Sequence, residues 1–82
     1  MKISFHKSAE KDILSLHKII AHRIAQKIAL LKKNPFPVGY RKLSGEEGYR
    51  IRIGDYRVVY TIDQATKTVT IIKVAHRKEV YR

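Results

Sequence analysis

The chain has no cysteine, so neither a disulfide nor a thiolate is available to staple the fold or to catalyse a reaction. Acidic residues are scarce, with 7 Asp and Glu against 18 Lys and Arg among 82 residues. No Gly/Ser linker, repeat or low-complexity tract divides the sequence, and this length fits one small domain, residues 1–82. Apolar runs are short and interrupted by Lys, Arg or His, which excludes a membrane-spanning helix. The opening MKISFHKSAEKD turns polar and acidic too early for a signal peptide, and the expected location is cytoplasmic. His6, His17, His22 and His76 are scattered, and no pair of them comes with carboxylates at metal-ligand spacing.

What is present is positive charge. The net charge is +11 at pH 7 and the pI is about 10.2. A compact domain this basic repels itself, so a polyanionic partner is expected.

The first half reads as helical. Lys2 to His6 alternates like a short strand, and Ser8 then resembles an N-cap with Glu10 in the first turn. Ile13, Leu16, Ile20, Ile24, Ile28 and Leu31 recur at helical spacing until Asn34-Pro35 ends the pattern. The region is either one long helix or a hairpin turning near His17-Lys18, because neither Gly nor Pro marks a break. Its polar side carries Lys18, Arg23, Lys27, Lys32 and Lys33, with no acid from His17 to Lys33. That side is either a solvated helix face or a nucleic-acid backbone contact.

The second half reads as a meander. Phe36 to Gly48 is loop-like, and strand patterns follow at Tyr49 to Ile53, Tyr56 to Ile62 and Thr68 to Ala75. Helices first and antiparallel strands after predict an α+β layer, with the helices on one face of the sheet. TVTIIKVA is nearly continuously apolar in its middle, as a central strand would be.

Within YRIRIGDYRVVY, alternation places Arg50 and Arg52 on one face, opposite Tyr49, Ile51 and Ile53. A two-residue Gly54-Asp55 turn pairs Ile53 with Tyr56 and sets Arg52 against Arg57. Arginines facing across a hairpin repel one another, and an anion between them removes the conflict. Solvated surface arginines are the plainer alternative. The ending HRKEVYR adds an imidazole, a guanidinium and a phenol just beyond the last strand.

The basic helical segment ending in NP, the stretch KLSGEEGYRIRIGDYRVVYTID and the close AHRKEVYR together resemble the RelE branch of the RelE/ParE toxin superfamily. The resemblance covers essentially the whole chain and is most specific in the hairpin and the ending. It implies an N-terminal strand and a helical hairpin on an antiparallel-rich sheet of about four strands. It further implies a ribosome-dependent mRNA endoribonuclease that needs no metal or cofactor. In such enzymes a 2′-hydroxyl attacks the adjacent phosphate, leaving a cyclic phosphate and a 5′-hydroxyl. The implied partners are a cognate antitoxin, the ribosomal decoding site and mRNA.

By this resemblance Arg57 binds the phosphate, Arg77 stabilises transition-state charge, and Tyr81 stacks on a base and helps take the 2′-proton. Arg50 and Arg52 occupy basic positions that are usually lysine in the best-known members, and Lys27, Lys33 and Lys78 are further RNA contacts. Arginine keeps its proton below a pKa of about 12, so it cannot replace a lysine in proton transfer. His76, whose type titrates near neutrality, is the expected substitute. A ParE-type toxin acting on DNA gyrase and an inactive antitoxin- or RNA-binding module are the alternatives.

Overall fold

A computed structural model describes residues 1–80, with side chains as far as Lys78. The elements are β1 (Lys2–Phe5), α1 (Lys7–Leu14), α2 (Lys18–Leu30), β2 (Arg41–Lys42), β3 (Tyr49–Ile53), β4 (Tyr56–Asp63), β5 (Thr68–His76) and α3 (Arg77–Val80). They form one five-stranded sheet in the order β1-β5-β4-β3-β2. All pairings are antiparallel except that of β1 with β5. The α+β expectation holds. The fifth strand is the two-residue β2, inside the stretch read as loop.

The helical region is a hairpin. The His17 side chain accepts from the Ile19 N–H at 3.3 Å and caps α2, while the Ser15 hydroxyl donates to the Asp12 carbonyl at 2.7 Å. These short-range bonds break the helix where no Gly or Pro does. The cap of α1 is also a histidine. His6, not Ser8, is the N-cap, and its Nδ1 accepts from the Ser8 N–H at 3.2 Å.

One face of the sheet meets the helices. Ile51, Ile53, Val58, Tyr60, Val69, Ile71 and Val74 pack with Ala9, Ile24, Ile28 and Leu31 into a single core. The helical stripe therefore falls where its spacing places it, with Ile13, Leu16 and Ile20 partly buried at the margin.

β5 carries a bulge that redirects its second half. Tyr60 pairs with Ile71 and Val59 with Lys73, so Ile72 has no partner on β4. The extra residue lets both Ile71 and Val74 face the core and keeps Lys73 outside. On its other side β5 outruns β1, which ends opposite Ile71. α1 covers that exposed edge: the Ser8 hydroxyl donates to the Ile72 carbonyl at 2.8 Å, and the Asp12 carboxylate accepts from the Val74 N–H at 2.9 Å. Replacing Asp12 with alanine strands that amide and is expected to lower stability by about 1–2 kcal/mol, read from denaturant midpoints. An unchanged midpoint would mean that water serves the amide equally well.

The loop after α2 is pinned by aromatic rings. Phe36 lies 5.2 Å from both Tyr40 and Tyr49 between ring centroids, and Tyr49 lies 5.8 Å from Tyr60. The Tyr60 hydroxyl donates to the Pro35 carbonyl at 2.6 Å. Gly48 enters β3 at φ +127°, where a Cβ would meet the Tyr60 carbonyl at 3.0 Å, so only glycine fits there.

Candidate phosphate-binding groove

The β3–β4 hairpin turns through Gly54 and Asp55 alone, with Gly54 at φ +60° supplying the left-handed residue that such a turn requires. The register follows: Ile53 pairs with Tyr56 and Arg52 with Arg57. Arg52 and Arg57 therefore point to the same face, away from the core, and so does Arg50, two residues along β3. Arg57 is buried, at 7% exposure, and its cross-strand neighbour on β5 is the small Ala75.

β2 pairs only with Tyr49 and Arg50, so no strand covers the outer edge of β3 from Ile51 to Ile53. A groove of about 580 Å³ runs along this edge. Its cationic lining is Lys27 from α2 with Arg41, Arg50, Arg52 and Arg57 from the sheet; Leu30, Pro37 and Val38 supply the apolar wall. Among the described residues no acidic side chain lines it. The pinned 34–40 loop is what holds Pro37 and Val38 in position. Among the described residues no carboxylate lies within 4.0 Å of the guanidinium of Arg41, Arg50 or Arg52. Such a groove can hold a phosphate through forked, charge-assisted hydrogen bonds and offset the charge that builds on it during substitution.

Lys27 thus lines the same groove as Arg50, Arg52 and Arg57, whereas Lys33 lies beyond α2 and outside the groove. Arg77 starts α3, two residues after Ala75. Its backbone N–H donates to the Asp55 carbonyl at 2.7 Å, and its Nε lies 4.0 Å from the Asp55 carboxylate. That ion pair is exposed and contributes little by itself. Lys78 is exposed on α3. Tyr81 lies outside the described residues.

His76 is not brought to the arginines. The bulge at Ile72 pairs His76 with Tyr56, on the face opposite Arg57 and Ala75. Its ring packs edge-on against Tyr56 at 5.4 Å, and its Nδ1 accepts from the Lys78 N–H at 3.3 Å. The expected proton carrier is instead a capping residue of α3. Arg41 is the groove residue that sequence reading missed. Its signal was the basic pair Arg41-Lys42 just before the hairpin.

The family model for the ParE toxin of type II toxin–antitoxin systems matches residues 3–81. The chain belongs to this family of the RelE/ParE superfamily. Its relatives place it on the RelE side. It is 33% identical to toxin RelG of Mycobacterium tuberculosis over 98% of this chain and 94% of that one. It is 38% identical to toxin RelE of the same organism over 92% and 79%. Among solved structures, the RelBE2 toxin–antitoxin complex of M. tuberculosis matches with TM-score 0.83 at 28% identity, covering 93% of this chain and 96% of that one. The archaeal RelE–RelB complex of Pyrococcus horikoshii matches with TM-score 0.80 at 32% identity, covering 93% of each. This RelE-like toxin carries its arginine groove on the fold those proteins share.

Proposed function

We propose that this RelE-like toxin is an mRNA endoribonuclease that works on the ribosome and so halts translation in the cytoplasm. The observation that carries the reading is the facing pair Arg52 and Arg57, set by a two-residue turn within a groove that, among the described residues, five cationic side chains and no acid line. The 2′-hydroxyl oxygen of one nucleotide bonds to the neighbouring phosphorus as the bond from phosphorus to the 5′-oxygen breaks. The 2′-proton leaves and the 5′-oxygen gains one, giving a cyclic phosphate and a 5′-hydroxyl. Arg52 and Arg57 hold the phosphate and stabilise its added charge, with Arg77, which starts α3 beside Asp55, as the further cation. Arginines do not exchange protons at neutral pH, so proton removal falls to Tyr81 or to the ribosome-bound substrate itself. His76 has no part in it.

Mapping RNA 5′ ends after brief expression tests the reading. New ends in translated messages, lost with Arg57→Ala, are expected. Intact messages accompanied by gyrase-linked DNA breaks would instead establish the ParE-type activity.

A cognate antitoxin is the proposed protein partner, supported by the RelB-bound relatives. A surface of net charge +11 favours an acidic segment that orders on binding. Affinity is expected to fall by roughly tenfold as salt rises from about 0.1 to about 1 M, because the screening length shrinks from about 10 to about 3 Å. Salt-independent titrations would assign the affinity to apolar contacts.

A further inference from the structure

The outer face of the sheet holds a second row of cations that the proposed chemistry does not use. β2 pairs with β3 so that Arg41 stands opposite Arg50, as Arg52 stands opposite Arg57. Because Arg50 and Arg52 are two residues apart on one strand, the two facing pairs share a face and lie roughly 6.5 Å apart. This is about one nucleotide step. The Arg41–Arg50 pair sets two cationic side chains opposite one another across the strands, a cost that an anion would offset. Arg50 adds an independent sign: its Nε is buried without a hydrogen-bond partner among the described residues. A shielded guanidinium N–H left unpaired is unfavourable, and a phosphate oxygen at the groove would satisfy it. Arg41 is exposed, lines the same groove and, among the described residues, has no carboxylate within ion-pair distance.

We infer that Arg41 and Arg50 form a second anion seat, which holds the phosphate next to the one gripped by Arg52 and Arg57 on a single RNA strand. The inference rests on the RNA-cleaving reading and deepens it. Two seats one step apart fix the direction in which the strand crosses β3, so that a single phosphate is presented for cleavage. Arg41 is then a positioning residue. Its loss weakens binding and leaves the rate of the bound complex nearly intact.

The test uses ribosomes programmed with a short message whose nucleotide at the mapped cleavage position is 2′-deoxy, so that the attacking hydroxyl is missing. The phosphates on either side of the scissile one are neutralised in turn as methylphosphonates. For the wild-type chain, one of these changes is expected to raise the dissociation constant about three- to tenfold. Arg41→Gln should raise it similarly on the unmodified message, lower the salt slope by about 0.7 and show a clearly smaller effect of that methylphosphonate, because Arg50 alone remains at the seat. Wild-type affinity in Arg41→Gln, or an undiminished methylphosphonate effect, overturns the second seat. A parallel all-ribose message reports the reading beneath it. Equal cleavage by wild type and Arg57→Ala sinks that reading, whereas an inactive Arg57→Ala with no Arg41 coupling sinks the second seat alone.

Discussion

Replacing Arg57 with alanine is expected to slow mRNA cleavage by about 10²–10³-fold in single-turnover assays on programmed ribosomes. The size follows from position. Arg57 is buried at the centre of the sheet's outer face, flanked by Arg52 across the hairpin and by Ala75 on β5. A guanidinium already held there does not have to be organised as charge builds on the phosphate. Arg57→Lys separates charge from shape: it keeps the cation and loses the planar fork, and it should fall between wild type and alanine. Because the residue is buried, each variant needs a thermal melt beside its rate. A folded Arg57→Ala chain that cleaves at the wild-type rate would remove the groove from the chemistry.

Alkaline pH is expected to unfold the protein through Tyr60. Burial pushes the Tyr60 phenol from 10.0 up to about 12, and nearby Tyr40 and Tyr49 add to the rise. The folded phenol therefore stays protonated in a range where the unfolded one ionises. The associated stability is complete below about pH 10 and is lost progressively as pH rises to about 12, by on the order of 2–3 kcal/mol. Tyr60→Phe should cost about 1 kcal/mol at neutral pH, because it deletes the bond to the Pro35 carbonyl. Its stability should then fall less steeply than that of wild type between pH 10 and 12. Denaturant midpoints across this range decide the point, since lysine titration is common to both chains. Parallel curves would clear Tyr60 of the effect. As the same hydroxyl pins the 34–40 loop, the groove wall at Pro37 and Val38 should loosen in the variant.

Much of this fold could be read along the chain. The stripe Ile20, Ile24, Ile28 and Leu31 identified the buried face of α2, and Gly54-Asp55 fixed the Arg52–Arg57 register, because both signals are local and periodic. Features that depend on a partner distant in sequence were hidden. β2 is two residues long and is a strand only because Tyr49 and Arg50 pair with it. The break between α1 and α2 rests on side-chain bonds from His17 and Ser15 rather than on a breaker residue. The bulge at Ile72 is supported by Ser8, 64 positions away. A reader who alternates residues along β5 without it places Lys73 inside and His76 beside Arg57. In the sequence His76 is singled out by the chemistry of its ring alone, with no face assigned to it.

The unpaired Ile72 also has a consequence for how such a site could change. One residue sets the parity of everything that follows it on β5. Were Ile72 drawn into the regular ladder instead, Val74 and His76 would turn toward the arginines and Lys73 and Ala75 toward the core, whereas deleting it would leave every later pairing as it is. The chain would acquire a titratable ring next to its phosphate grip, and in the same step would drive an ammonium into an apolar interior. Register and chemistry are thus coupled at this strand. A proton carrier for Arg57 is one straightened bulge away, but the change is open only to a sequence that has first given up Lys73.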